Sequence, residues 1–358
     1  MVVKGSIDNE LLYDSRRFEA NQRPKYDQIT AKLNSLQKGT VEYDDAKGEQ
    51  NAMLDERKAY LEGIYKKYPN TLFTSFKRAG QNPEVEEQLN PDGTPDVKKR
   101  VWMYRTQFWE GVDFTDERLL RTPVISNKLK RYIDELTPQN ADSILSAAYF
   151  LVDQVPTNSD YYKYFVNWIV INFDPLETTL MDPQAVFTNM IQKYFTYDKA
   201  FWADSVEVYS LQQRAHEMAA SLLNKKGPNV SATDINGKTQ SIYDIKAPYI
   251  VVYMYNPDCE HCAEQTPKLV DFYKEWKSKG VEVYGIAVDT EDDKWRKYVK
   301  DNKMDWINVF DPTNRAIYAT YFVDHTPEIY VLNPDRTIIA KNLKVHQIAE
   351  MIEKDKEK

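Results

Sequence analysis

The feature that most constrains this chain is Cys259-Glu260-His261-Cys262, which contains the only two cysteines among its 358 residues. The apolar run Tyr249–Tyr255 precedes this motif and predicts a central strand buried on both faces. Asn256-Pro257-Asp258 ends the strand, and Asp258 is a typical N-cap residue, so Cys259 is predicted to open the next helix. A C-x-x-C at a helix start brings two sulfurs within disulfide range, and the helix dipole stabilises a thiolate on the first. The pattern therefore indicates reversible thiol–disulfide exchange.

Strand and helix patterns alternate throughout the last third of the chain. After the cysteine motif we expect strands at 281–288, 307–310, 328–332 and 337–340, and helices at 292–302, 315–322 and 345–353. Pro267 lies inside the helix that Cys259 opens, five residues after Cys262, and predicts a kink. This alternation indicates an α/β domain with helices on both faces of a sheet.

Residues 228–358 resemble a thioredoxin-fold domain of the TlpA/ResA and AhpC/TSA-like group. The resemblance rests on the strand before the C-x-x-C, Pro267, Thr326-Pro327 before a strand, and the strand–strand–helix ending. It implies that Cys259 is the exposed nucleophile and that Cys262 resolves the mixed disulfide. It also implies a cis Pro327 against the cysteine pair. The residues that would border the substrate groove are Asp258, His325, Thr326 and Pro327.

The residues around the cysteine pair are candidates for tuning it. A cationic His261 would stabilise the reduced pair and make it more oxidising, whereas Glu260 would act in the opposite sense. We expect a Cys259 pKa below the free value of about 8.5. The ordinary alternative for His261 is an exposed side chain with no such role.

The group that accepts the proton of Cys262 is open at this point. The buried carboxylate of thioredoxins would fall at Tyr253, and the glutamate frequent in ResA-like proteins at Gln265. The candidates nearest in sequence are Glu264 and His325, with water as a third. The ordinary alternatives are an exposed helix carboxylate for Glu264 and a loop histidine for His325.

The rest of the chain predicts helices, so the fold class is multidomain: an all-α N-terminal part followed by a C-terminal α/β thioredoxin-like fold. We predict a helical hairpin region over 1–98, an all-α helical domain over 99–226, and the thioredoxin-like domain over 228–358. Residues 104–114 and 118–123 resemble part of an uncharacterised all-α domain found ahead of envelope thioredoxin domains in bacteria. No fixed-period repeat occurs, which argues against a helical repeat array.

Composition limits the partners and the compartment. The net charge of −8 argues against nucleic-acid binding. No apolar run of about 18 residues predicts a membrane span. The N-terminus has no secretory apolar region, so the protein is either cytoplasmic or separated from its targeting segment. The resemblance favours the second, in the periplasm or cell envelope. A zinc site is disfavoured because His261 is the one further ligand near the cysteine pair. We therefore expect no cofactor other than the redox-active disulfide and no metal.

Three functions compete on sequence alone. The first is a thiol–disulfide oxidoreductase acting on protein or small-thiol disulfides, and the resemblance favours a membrane-bound redox partner and a reductase. The second is a binding or scaffold protein with a static disulfide. The third is a thiol peroxidase, but Val252 and Asn256 replace the proline and threonine of the peroxidase P-x-x-x-T-x-x-C pattern. We choose the first.

Overall fold

The computed structural model describes residues 5–175, 178, 180–310, 312, 320–323 and 325–357. It divides into two compact units, residues 1–136 and 137–358. This division differs from the sequence-based boundaries, which lie after residue 98 and at residue 227. The reason is visible in the contacts of residues 99–136 with the segment that follows Gly80. Lys128 Nζ donates to the Gln81 carbonyl oxygen at 3.2 Å, and Arg131 Nη1 donates to Asn82 Oδ1 at 3.1 Å.

The first unit is helical. Its α-helices are α1 (Ile7–Ser35), α2 (Val41–Lys67), α3 (Leu72–Ala79), α4 (Val97–Gln107) and α5 (Pro123–Lys130). Ser6, Thr40 and Thr71 cap the first three through side-chain oxygens that accept backbone N–H groups. Helix α1 continues through Pro24, although a proline inside a helix removes a backbone hydrogen bond.

The second unit begins with four helices, α6 (Ala141–Val152), α7 (Asp160–Asn172), α8 (Pro183–Tyr194) and α9 (Ser205–Met218). Their facing sides are apolar and aromatic, and Phe165, Phe187 and Tyr161 are fully or almost fully buried. Burial of such large side chains stabilises this layer through the hydrophobic effect. The all-α prediction for this region is confirmed.

The remainder of the second unit is a seven-stranded mixed sheet with strand order β2-β1-β5-β4-β3-β6-β7. The strands are β1 (Ser231–Asp234), β2 (Thr239–Ser241), β3 (Tyr249–Tyr255), β4 (Val281–Ala287), β5 (Ile307–Phe310), β6 (Glu328–Leu332) and β7 (Ile338–Lys341). Helices α10 (Glu260–Trp276), α11 (Asp292–Asp301) and α12 (Val345–Lys356) complete it. The predicted helix over 315–322 falls mostly on residues 313–319, which lie outside the described residues.

Strand β3 is the centre of the sheet and every one of its residues is buried, as its continuous apolar run predicts. It pairs in parallel with β4 and antiparallel with β6. Met254 near the end of β3 is paired with Glu328 at the start of β6. The antiparallel register therefore brings the segment that precedes β6 beside the segment that follows β3. These two segments carry Thr326-Pro327 and the C-x-x-C motif.

Candidate active site

The two cysteines lie at the start of α10 and differ in exposure. Cys259 is the N-cap residue and is half-buried, whereas Cys262, in the first turn, is completely buried. They are not joined in a disulfide. The sequence predicted Asp258 as the N-cap residue, but the observed N-cap is Cys259, one residue later. Its backbone N–H donates to Asn256 Oδ1 at 2.8 Å, and its carboxylate pairs with Lys294 Nζ at 2.7 Å.

The Cys259 sulfur faces the segment before β6. Its Sγ donates to the Thr326 carbonyl oxygen at 3.2 Å, across 67 residues of sequence. The Thr326–Pro327 peptide bond is cis, as the resemblance implied. Thr326 and Pro327 are half-buried, and His325 and Asp258 are exposed. The structure therefore places Thr326 in contact with Cys259, and the other three predicted groove residues lie in the two adjoining segments.

Opposing effects set the acidity of Cys259. Partial burial favours the neutral thiol, but hydrogen bonds from the Cys262 and His261 backbone amides and from the Thr326 and Cys262 side chains outweigh it and lower the Cys259 pKa. These are the amides that a helix N-terminus presents to an anion. The direction agrees with the sequence-based expectation.

Cys262 has the opposite acidity. Burial raises the pKa of its thiol to about 12, although the Asn256 backbone N–H donates to its sulfur at 3.5 Å. Two residues of chain, Glu260 and His261, thus separate a thiol with a lowered pKa from one with a raised pKa. This asymmetry suits one sulfur to attack an external disulfide and the other to remain a thiol until an intramolecular partner is presented.

Comparison with known proteins assigns the C-terminal region. Residues 223–343 match the AhpC/TSA family. This chain contains an AhpC/TSA domain. The domain is similar to the thiol-disulfide oxidoreductase ResA of Bacillus thuringiensis subsp. konkukian, with 26% identity over 131 residues, 37% of this chain and 75% of that protein. It is also similar to ResA of Bacillus cereus strain ZK / E33L, with 24% identity over 119 residues, 33% of this chain and 68% of that protein. The predicted class, a thiol–disulfide oxidoreductase, is confirmed at the level of the family.

A solved structure extends the likeness beyond the AhpC/TSA domain. The thioredoxin-like protein from Bacteroides caccae shares the fold with a TM-score of 0.57 and 19% identity, over 75% of this chain and 98% of its own. Three quarters of this chain is more than residues 223–358 can supply, so the likeness includes part of the helical region. The predicted order, helices followed by a thioredoxin-like fold, is confirmed.

The remaining candidates around the AhpC/TSA domain's cysteine pair are exposed. Glu260 and His261 point to the surface of α10. Glu264 is exposed as well, and its ion pair with Lys268 at 2.6 Å lowers the pKa of its carboxyl group. Residues two apart on a helix do not face each other, so Glu264 lies away from Cys262. The structure therefore brings the two cysteines and Thr326 together and leaves Glu264 on the solvent side.

Sequence reasoning missed the polar groups on the buried face of α10. Thr266 lies one turn after Cys262, is fully buried, and joins the hydroxyls of Tyr253 and Tyr298. The signal was available, because residues i and i+4 share a helix face and a threonine inside an apolar stripe needs hydrogen-bond partners.

Two negative findings apply to the described part of the chain. Its histidine, cysteine and carboxylate side chains form no cluster of three or more that could hold a metal ion. None of its helices combines the length and the apolar character that a membrane crossing requires.

Proposed function

We propose that this protein is a thiol–disulfide oxidoreductase that works through Cys259 and Cys262. Its substrates are disulfide bonds in proteins or the disulfides of small thiol compounds. The observation that carries the proposal is the contrast between the two sulfurs. Cys259 is accessible and has a lowered pKa, whereas Cys262 is buried one turn deeper and has a pKa of about 12. The similarity to ResA supports the same class of reaction.

The reaction proceeds in two exchanges. The Cys259 thiolate attacks a substrate disulfide, so a bond forms between Cys259 Sγ and one substrate sulfur while the other leaves as a thiolate and takes a proton from water. Cys262 Sγ then attacks Cys259 Sγ, which expels the second substrate sulfur and releases the Cys262 proton. The substrate gains two electrons, and the protein ends with a Cys259–Cys262 disulfide.

Segment 325–327 forms the proposed docking edge for the substrate. The Thr326 carbonyl oxygen lies 3.2 Å from Cys259 Sγ, so a chain that presents its disulfide to this sulfur must pass along Thr326 and Pro327. Asp258 and His325 are exposed in the two segments that carry Cys259 and Thr326, and we propose that they border the same path. Glu260 and His261, which are exposed at the start of α10 beside Cys259, are the proposed tuning residues.

The cycle needs a second protein that returns electrons. We propose a membrane-bound dithiol donor and a location in the periplasm or cell envelope, following the resemblance to TlpA/ResA-like proteins. A lowered Cys259 pKa stabilises the dithiol and so weakens it as a reductant. The direction of flow therefore depends on the donor that keeps the pair reduced.

The decisive experiment is a trap. Cys262→Ser removes the resolving sulfur, so we expect mixed disulfides between Cys259 and client proteins to accumulate in an envelope extract and to disappear on treatment with dithiothreitol. Cys259→Ser is the matched control and should capture nothing, because the buried Cys262 thiol cannot reach a client. Equal capture by both variants would contradict the assignment of roles.

Turnover assays test the reaction class. The reduced wild-type protein should reduce insulin with dithiothreitol as donor, at a rate that falls at least about 100-fold in Cys259→Ser. Rapid consumption of hydrogen peroxide would instead indicate a peroxidase. No insulin turnover, together with a potential well below about −300 mV, would indicate a static structural disulfide.

A further inference from the structure

A chain of three hydroxyl groups lies on the buried face of α10. The Tyr253 hydroxyl and Thr266 Oγ1 are 2.8 Å apart, and Thr266 Oγ1 and the Tyr298 hydroxyl are also 2.8 Å apart. Tyr253 comes from β3, Thr266 from α10 and Tyr298 from α11. Tyr253 and Thr266 are fully buried, whereas Tyr298 is half-buried. The chain therefore runs from the interior toward the surface.

This chain lies on the same side of α10 as Cys262. Thr266 follows Cys262 by four residues, which places the two side chains one above the other on a helix. Cys262 belongs to the same buried cluster as Tyr253 and Tyr255. Burial raises the pKa of Tyr253, Tyr255 and Tyr298, and the nearby Cys262 sulfur adds to the effect in each.

The groups that interact with the Cys262 sulfur come from four segments: Asn256, whose backbone N–H donates to it at 3.5 Å, and Cys259 from the segment between β3 and α10, Tyr253 and Tyr255 from β3, Tyr298 from α11, and Thr326 from the segment before β6. The carboxylate nearest in sequence, Glu264, is exposed and bound to Lys268. Among the described side chains, those that β3 and α11 bring near Cys262 therefore carry hydroxyl groups and no carboxylate.

The hydrogen-bonding capacity of Thr266 allows a third contact. A threonine hydroxyl has one donor and two acceptor sites, and the two tyrosines occupy two of these three. When Thr266 donates to Tyr298 and accepts from Tyr253, one acceptor site remains for the Cys262 thiol. The Tyr298 hydroxyl in turn can donate to water at the half-exposed end of the chain.

We propose that Thr266 and Tyr298 carry the proton of Cys262 to solvent during the second exchange, and that Tyr253 holds the Thr266 hydroxyl in place. This inference rests on the proposed function. As the Cys262–Cys259 bond forms and the substrate thiolate leaves, the Cys262 proton passes to Thr266, the Thr266 proton to Tyr298, and the Tyr298 proton to water. Each hydroxyl gives up one proton and receives one, so the chain returns to its starting state.

The second exchange can be timed with Ellman's reagent. The reduced protein releases one thionitrobenzoate when Cys259 attacks, at a rate proportional to reagent concentration. It releases a second when Cys262 resolves the mixed disulfide, at a rate independent of that concentration. We expect Thr266→Val and Tyr298→Phe to slow the second phase about 10- to 100-fold at pH 7 and to leave the first unchanged.

The pH profile separates proton transfer from a packing defect. In the wild type the second phase should change little between pH 6 and pH 9, because water at Tyr298 accepts the proton. In the two variants it should rise about tenfold per pH unit, because hydroxide must then reach the sulfur. Thr266→Ser keeps the hydroxyl and should restore the wild-type profile.

Tyr284→Phe is the matched control. Tyr284 in β4 is as buried as Tyr253 but belongs to the other core cluster, and its hydroxyl donates to the Gln240 carbonyl oxygen at 2.9 Å, so its removal should leave both phases unchanged. Parallel pH profiles for the wild type, Thr266→Val and Tyr298→Phe would overturn the inference. A wild type that never releases the second thionitrobenzoate would instead overturn the proposed function.

Discussion

At the scale of single residues, the proposed chemistry depends on two cysteines within one helical turn. Cys259 lies where backbone amides converge and can stabilise its thiolate, whereas Cys262 lies one turn further on in the protein interior, where burial favours the neutral thiol. Both residues are the same amino acid in the same motif. Their difference in pKa is therefore a property of position.

Alkylation of the reduced protein should display this difference. With iodoacetamide at pH 7.5 we expect rapid modification of Cys259 and none of Cys262, because only the first forms an appreciable amount of thiolate. The rate at Cys259 should follow a pKa below the free value of about 8.5. In Cys259→Ser, the folded protein should stay unmodified up to at least pH 9, since the Cys262 pKa is about 12.

The same chain unfolded in urea is the control for that measurement. There the two cysteines lose their environments, and both should react with the ordinary pKa of a free thiol. A Cys259 profile in the folded protein that matches or exceeds the unfolded one would show that the helix terminus does not stabilise its thiolate.

At the scale of elements, the sheet beside the site packs closely against a glycine, Gly285. Gly285 in β4 is paired with Tyr253 in β3 and with Asn308 in β5. A Cβ on Gly285 would lie 2.7 Å from Trp306 Nε1 and 3.0 Å from Asn308 Oδ1. Trp306 meets the Tyr253 ring edge-on at 6.5 Å. The glycine therefore makes room for side chains that support the buried side of the active site.

Gly285→Ala should lower the free energy of unfolding by about 1–3 kcal/mol, because the added methyl group forces Trp306 and Asn308 to shift. The measurement is urea unfolding followed by circular dichroism. Gly63→Ala is the matched control, since Gly63 lies in helix α2 with no atom near its would-be Cβ. That change should be neutral or stabilising by up to about 1 kcal/mol. Equal behaviour of the two variants would show that the sheet absorbs the methyl group.

At the scale of the whole molecule, a buried ion pair ties the helical layer of the second unit to its sheet. Asp182, the N-cap of α8, and Lys341, at the end of β7, are 3.7 Å apart and almost fully buried. Lys341 Nζ also donates to the Ser221 carbonyl oxygen at 2.9 Å, and Asp182 accepts from the Leu223 backbone N–H at 2.7 Å. These contacts explain why residues 137–226 form one compact unit with the thioredoxin-like sheet.

Removing one partner of this pair leaves a buried charge uncompensated. Lys341→Met should therefore destabilise the second unit by about 3–5 kcal/mol, and adding Asp182→Asn should recover part of that loss. Lys354→Met is the control, because it breaks an exposed pair with Glu350 and should change stability by at most about 1 kcal/mol. Thermal unfolding of the full chain measures all three. A Lys341→Met protein as stable as the control would contradict the role of this pair.

The parts of the site that could be predicted are those that depend on neighbouring residues in the chain, whereas contacts between distant residues could not be predicted. Strand β3 and helix α10 could be predicted because the spacing of apolar residues within a short segment indicates a buried strand or an amphipathic helix. The helix start was placed one residue early, because Asp258 is used in an ion pair with Lys294 rather than as a cap. Thr266 was overlooked because its partners, Tyr253 and Tyr298, come from two other elements.

The sequence alone determined the order of the described strands and helices in the last third of the chain and the position of its two cysteines at the start of a helix, since these depend on local patterns of apolar and polar residues. The tertiary structure decided which groups meet. The β3–β6 register carries Thr326 to Cys259, and the folding of α8 against β7 brings Asp182 to Lys341. Such contacts join residues far apart in the chain, and their free energy depends on burial and geometry that exist only after the elements have packed.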